Sequence, residues 1–106
     1  MIKILLLVFT VLFTAVGFSQ KKTINNLIAS PNPFSNITEI SFNSSNNQNI
    51  IVSIKNVLGK VVFSRQIEAR KGKIRLPFNR NNLRSGMYIY AIQSNTEFIS
   101  KRLVIR

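Results

Sequence analysis

The stretch Ser30-Pro31-Asn32-Pro33-Phe34-Ser35 separates two parts of the chain that differ in kind. Each proline fixes its own φ at roughly −65° and favours an extended conformation in the residue before it, so no helix can pass through. Phe34 follows at once, and we expect its large apolar side chain to anchor the stretch on a hydrophobic core. The stretch therefore predicts a rigid, extended lead-in, with a leader before it and a domain of short β-strands after it.

After this stretch, apolar and polar residues alternate in a series of short runs. A period of two is typical of β-strands that bury one face. The runs that we predict to be strands are residues 37–43, 50–55, 61–67, 73–78, 87–94 and 97–106. A further short strand is predicted at Leu27 and Ile28, ahead of the prolines.

Glycine, proline and polar residues mark the connections between these runs. Gly59 can adopt a positive φ at little cost, which predicts a hairpin that joins residues 50–55 to residues 61–67. Pro77 has no amide proton to donate, so we expect it at a strand end or a sheet edge. Residues 43–49 are all polar, which predicts an exposed loop.

The later runs complete an all-β pattern. Residues 87–94 are apolar or amphipathic on both faces, which is the pattern of a central strand, and Leu83 is expected to reach the core from the loop before them. There is no helical period outside the leader and no internal repeat. About seven short strands with evenly spaced turns predict one antiparallel β domain, and on the residues alone a sandwich and a small barrel both remain open.

Residues 1–19 have the three parts of a secretory signal peptide. Lys3 supplies a positive start, residues 4–16 form an uncharged apolar run, and Gly17 and Ser19 are small residues of the kind a signal peptidase accepts. The apolar run is shorter than the ~20 residues of a membrane-spanning helix, and no cysteine follows it to carry a lipid anchor. We therefore divide the chain into a cleaved signal peptide (residues 1–19), a short lead-in (residues 20–29) and a domain that works outside the cytoplasm (residues 30–106).

The composition indicates a small domain that depends on its core for stability. Its positive charge is either a solvated face, as outward charges usually are, or a surface for an anionic partner. The 106 residues carry a net charge of +12 and include no cysteine, so no disulfide can supplement the core. Outside the cytoplasm, the available polyanions are lipopolysaccharide, anionic phospholipid head groups and acidic glycans, whereas nucleic acid is not expected. A candidate anion patch around one predicted hairpin consists of Arg65, Arg70, Lys71, Lys73 and Arg75.

The chain lacks most of the residue types that catalyse reactions in enzymes. The chain contains no histidine and no cysteine, and it also lacks aspartate, which excludes a histidine-based triad, a thiolate nucleophile and the usual metal clusters. Its carboxylates, Glu39, Glu68 and Glu97, lie on separate predicted segments, and its glycines are too isolated to cradle a phosphate. We therefore expect no enzyme, and no catalytic residue, cofactor or metal.

Four motifs, in order, carry a resemblance to a known family. They are Pro31-Asn32-Pro33-Phe34-Ser35, Asn56-Val57-Leu58-Gly59-Lys60-Val61-Val62, Leu83-Arg84-Ser85-Gly86-Met87-Tyr88 and Lys101-Arg102-Leu103-Val104-Ile105. With them, residues 28–106 resemble the C-terminal sorting domain, type A, of proteins secreted by the type IX (Por) secretion system of Bacteroidetes. The resemblance assigns the sorting motif to Pro31, Asn32, Pro33, Phe34, Gly59, Gly86, Tyr88, Lys101, Arg102, Leu103, Val104 and Ile105.

The resemblance implies an immunoglobulin-like β-sandwich that serves as a non-enzymatic export label. Its expected partners are the outer-membrane translocon, a shuttle protein and a sortase-like peptidase, and its cargo is released or joined to anionic lipopolysaccharide. The chain would pass through the periplasm and reach the cell surface or the medium. Sorting domains normally follow a cargo, whereas here only residues 20–27 separate the predicted cleavage site from the match.

The motif residues also have purely structural explanations. Gly59 and Gly86 fit backbone requirements, and Tyr88 is expected to bury its ring and bond its hydroxyl at the rim. The closing strand, residues 101–105, could add to a partner's sheet or dock on an acidic groove, or it could be an edge strand whose charges prevent aggregation. The alternative function is a free-standing secreted module that binds lipopolysaccharide or another polyanion through its basic face.

Overall fold

The computed structural model describes residues 22–106, so the predicted signal peptide lies outside the described residues. None of residues 22–106 is helical, and this part of the chain offers no helix that could cross a membrane. The strands are β1 (Ile24–Ser30), β2 (Ile37–Ser44), β3 (Gln48–Asn56), β4 (Val61–Ala69), β5 (Gly72–Asn79), β6 (Gly86–Gln93) and β7 (Phe98–Ile105).

The strands form two antiparallel sheets. One sheet has the order β1-β2-β5 and the other the order β4-β3-β6-β7. Two separate sheets make a sandwich, which confirms the all-β prediction and decides against the barrel. The chain changes sheet between β2 and β3, between β4 and β5, and between β5 and β6, as immunoglobulin-like sandwiches do.

The core lies between the faces that the alternation predicted. Ile50, Val52 and Ile54 of β3 are fully buried, and Ile40 and Phe42 of β2 face them from the other sheet. Their polar neighbours in sequence point away from the core because successive side chains of a strand alternate between faces. Pro77 lies on β5, an edge strand as expected, and Leu83 packs against the core.

The predicted loop at residues 43–49 is wrong over most of its length. β2 continues to Ser44, which is 3% exposed, and β3 begins at Gln48. The Ser44 hydroxyl donates to the Asn46 carbonyl oxygen at 2.7 Å and accepts from the Gln48 side-chain amide at 2.8 Å. These bonds satisfy polar groups that the sequence alone assigns to solvent, so only residues 45–47 are left between the strands.

β1 is longer than the short strand expected at Leu27 and Ile28. It begins at Ile24, and its pairing with β2 shifts between Asn25 and Ile28. Asn26 lies in this bulge with φ 58°, a conformation that asparagine tolerates better than most residues. The bulge breaks the period of two, which is why the pattern showed only part of the strand.

β6 is central in its sheet, with β3 on one side and β7 on the other. Its inner face is buried at Tyr88 and Tyr90, but its outer face exposes 44% of Met87 and 43% of Ile89. The prediction of a central strand is therefore confirmed, although no other layer of the described residues covers its outer face.

Candidate recognition site at one end of the sandwich

The ends of three strands bring the motif segments to one end of the sandwich. Asn56, the last residue of β3, pairs with Tyr88 near the start of β6, and Tyr88 pairs with Leu103 near the end of β7. The proline stretch joins them through a parallel bridge between Phe34 and Ile105. We call this region the motif end.

Asn32 and Phe34 bind along the outer edge of β7. The Asn32 side-chain oxygen accepts from the Val104 N–H at 3.0 Å, and its amide nitrogen donates to the Arg102 carbonyl at 2.9 Å. The Phe34 N–H donates to the Val104 carbonyl at 3.0 Å, and the Phe34 carbonyl accepts from the Arg106 N–H at 2.8 Å. The outward-facing backbone groups at this end of β7 are therefore already paired.

The proline stretch reaches this position by bending. Residues 31–33 form bends, so the stretch is not the extended segment that was expected. The Ser30–Pro31 and Asn32–Pro33 peptide bonds are both cis. The Thr38 hydroxyl donates to the Pro31 carbonyl at 2.6 Å. Phe34 is 1% exposed and meets the Phe78 ring edge-on, which is the anchoring role predicted for it.

Arg80 connects three segments of the motif end. Its guanidinium donates to the main-chain oxygen of Arg106 at 2.6 Å, to the Ser35 carbonyl at 3.0 Å and to the Leu83 carbonyl at 3.0 Å. The sequence does not mark this residue, because an arginine in a polar loop that bonds carbonyl oxygens has the same pattern as a solvated one. Only its place just before the Leu83-Arg84-Ser85-Gly86 motif hints at the role.

Tyr88 and Gly86 support the backbone next to Arg80. Tyr88 is 7% exposed, and its hydroxyl donates to the Arg84 carbonyl at 2.8 Å. Gly86 has φ 147° and opens β6. The geometry of both residues is explained by support of the backbone, and both lie at the motif end.

The turn between β3 and β4 is held by the Asn56 side chain. The Asn56 side-chain oxygen accepts from the N–H groups of Leu58 and Lys60, each at 3.0 Å. The backbone of Asn56 bonds to Lys60 and to Gly59, and Gly59 has φ 83°. The turn is therefore a fixed structure rather than a loose loop.

The closing strand directs its residues in different directions. Leu103 and Ile105 lie in the core, and Val104 is half-buried. The Lys101 ammonium donates to the Leu27 carbonyl at 2.6 Å, so it links β7 to β1. Among residues 101–105, only Arg102 presents an exposed, charged side chain on the outer face of the four-stranded sheet.

The five residues of the candidate anion patch do not share one face. Arg65 pairs with buried Val52 and so lies on the inner side of edge strand β4, where it is exposed. Arg70 and Lys71 lie in the connection at the end opposite the motif end, and the last two, Lys73 and Arg75, lie on β5 in the other sheet. This arrangement lends no support to the polyanion-binding alternative.

At the opposite end of the sandwich, the pKa of the Glu97 carboxyl is shifted. The Thr23 N–H and hydroxyl donate to the Glu97 carboxylate at 2.6 Å and 2.5 Å. Burial raises the pKa of Glu97, but the bonds from Thr23 and from the Ile24 N–H, together with the charge of Lys22, outweigh it and lower the pKa below 4.5. Residues 22–106 contain no group of three potential metal ligands.

The structure is a small antiparallel sandwich in which motif segments that are distant in sequence meet at one end, and its function has to be argued from that site rather than from the fold. The family model for the secretion system C-terminal sorting domain matches residues 29–106, and the chain belongs to this family. A comparison with curated proteins found no match. The domain is a sorting signal of type IX secretion, which implies interaction with the secretion machinery and export to the cell surface or the medium.

Proposed function

We propose that the domain is a non-enzymatic export label that the outer-membrane machinery of type IX secretion reads at the motif end. The observation that supports this is the binding of Asn32 and Phe34 along β7, joined by Arg80 to the loop before β6. Motif segments that are distant in sequence thereby form one continuous surface. The motif segments also bury apolar side chains, but any β-sandwich does so, and burial therefore does not distinguish this site.

In this proposal the label is read from its side chains rather than by strand addition at the end of β7. The backbone groups of Arg102, Val104 and Arg106 on that edge are already bonded to Asn32 and Phe34. A partner strand would have to displace them, and each lost bond would have to be replaced. The translocon, the shuttle protein and the sortase-like peptidase are the proposed readers of this surface.

A reporter inserted between Gln20 and Lys21 of the full chain tests the proposal in a host with type IX secretion. We expect the reporter on the surface or in the medium, and we expect it to stay in the periplasm when residues 101–106 are deleted. Because the deletion removes the core residues Leu103 and Ile105, it also threatens folding.

A pair of point variants separates recognition from folding. Arg102→Glu reverses an exposed charge at the motif end, and Arg75→Glu makes the same change on the other sheet. Both should fold, because exposed substitutions rarely change stability by more than about 0.5 kcal/mol. Export reduced by Arg102→Glu alone supports the proposal, whereas equal export of both variants would place recognition elsewhere.

A further inference from the structure

The turn between β3 and β4 exposes two aliphatic side chains. Val57 is 67% exposed and Leu58 is 89% exposed. Exposed apolar residues are common singly, but a group of them on a fixed surface marks an interaction site. The Asn56 side chain holds this turn with two hydrogen bonds, so both residues are presented on a backbone that is already ordered before binding.

The exposed apolar surface continues from the turn onto the four-stranded sheet. On its outer face, Val61 pairs with Lys55, Lys55 with Ile89, and Ile89 with Arg102, which gives a row of alternating apolar and basic residues across all four strands. Val61 is 48% exposed and Ile89 is 43% exposed. Met87, also exposed, lies on the same face of β6, two residues from Ile89 and closer to the motif end. We call these residues, with Val57, Leu58 and Lys60, the hairpin patch.

The charge around the hairpin patch has one sign. Lys55, Lys60 and Arg102 are exposed, and the glutamates lie elsewhere: Glu68 and Glu97 near the opposite end, and Glu39 on the other sheet. A second copy of the chain would bring basic patch against basic patch, which is unfavourable. An acidic partner satisfies the same charges.

We propose that the hairpin patch docks into an apolar pocket rimmed by acidic side chains on a protein of the export machinery, with Leu58 as the anchor. This rests on the proposed function and gives the partner its chemistry. The patch contains no tryptophan or tyrosine, the residues that usually anchor proteins at a membrane surface. Leu58 is 89% exposed on a turn that Asn56 holds, so a pocket could bury almost the whole side chain, and the basic residues around it would face the acidic rim.

Export of the reporter inserted between Gln20 and Lys21 tests the patch. Leu58→Ser removes the anchor, and Phe98→Ser removes a side chain that is 62% exposed on the same sheet near its other end. We expect Leu58→Ser to lower surface reporter at least about tenfold, as loss of a hot-spot residue would. Phe98→Ser should be exported like wild type, and both purified variants should melt close to the wild-type temperature.

Charge reversal gives a second, independent arm. Lys55→Glu combined with Lys60→Glu should also lower export, whereas Lys73→Glu combined with Arg75→Glu should not. If Leu58→Ser and the reversed pair are exported like wild type, the hairpin patch is overturned and the export label stands. If the wild-type fusion itself remains in the periplasm, both are overturned.

Two measurements on the purified chain exclude the other occupants. Sedimentation with phosphatidylglycerol and phosphatidylcholine vesicles that depends on Leu58 would assign the patch to a lipid surface and overturn the proposal. A dimer that dissociates in the Leu58→Ser variant, seen by analytical ultracentrifugation, would assign it to a second copy. Export that depends on Leu58, with neither effect present, supports the protein pocket.

Discussion

Arg80 shows how one side chain can join segments that no strand pairing connects. Its planar guanidinium has five N–H donors in fixed directions, so it can bond several carbonyl oxygens at once. Here it reaches Ser35, Leu83 and Arg106. A lysine could place a charge at the same position, but it could not hold the three oxygens in one plane.

Arg80→Ala should lower the free energy of unfolding by roughly 1.5–3 kcal/mol, because hydrogen bonds from a charged donor are lost and the carbonyls are left partly buried. Urea denaturation followed by circular dichroism measures the change. Arg84→Ala, at an exposed neighbour, is the matched control and should stay within about 0.5 kcal/mol of wild type. A loss of unfolding free energy as small as that of the control would mean that the hydrogen bonds of Arg80 do not stabilise the fold.

At the scale of the element, strands with one buried face were predictable and irregular ones were not. The alternation of Ile50, Val52 and Ile54 marks β3 because burial of that face supplies the free energy that forms the strand. The bulge at Asn26 and the buried Ser44 depend on pairing with another strand, which a single segment does not encode.

The candidate site follows the same division. The motif residues could be named from the resemblance, but their convergence at one end depends on the sheet order, and Arg80 depends on contacts across the whole chain. The exposed Leu58 is another example. In the sequence it stands beside Val57 in the predicted turn, which does not say whether it is buried, and only the structure reveals that it is 89% exposed.

Gly59→Ala tests whether backbone conformation alone requires glycine in this turn. Gly59 has φ 83°, and a Cβ placed there would have no atom within 4 Å. We therefore expect a loss of about 1 kcal/mol from backbone strain and none from crowding.

Asparagine tolerates a positive φ better than alanine does. Gly59→Asn should therefore lose less stability than Gly59→Ala when both are measured by thermal denaturation. Equal losses for the two variants would show that something other than φ requires the glycine.

The whole molecule is stabilised without disulfides and protects the edges of both sheets. Asn32 and Phe34 cover the end of β7, Pro77 interrupts the edge of β5, and the bulge at Asn26 distorts β1. Arg65 places a charge on the inner side of β4, the remaining edge. Each device is one that β proteins use against edge-to-edge aggregation.

Glu97 ties the two sheets together at the other end, through Thr23 ahead of β1, and makes stability depend on pH. Because its folded pKa lies below 4.5, ionised Glu97 stabilises the fold above that pH, and the contribution is lost as the pH falls through the folded pKa.

The difference in melting temperature between wild type and Glu97→Gln should therefore shrink as the pH is lowered from about 7 to about 3. Glu68→Gln, which removes an exposed carboxylate from β4, is measured alongside as the control for loss of a carboxylate. Parallel profiles for wild type and Glu97→Gln would contradict the stabilising role of the Thr23 bonds.

The bond between Asn32 and Val104 also bears on the order in which the domain folds. It spans 72 positions of the chain, so the entropy of closing that long loop must be overcome before the bond can form. Contacts of such long range slow folding, and we expect this one to form only after the local hairpins have paired. A receptor that reads the surface formed by these residues would pass over chains that have collapsed but not finished folding. The bonds from Asn32 and Phe34 to β7 would then distinguish fully folded molecules from incompletely folded ones, so that the export machinery selects only molecules that have finished folding.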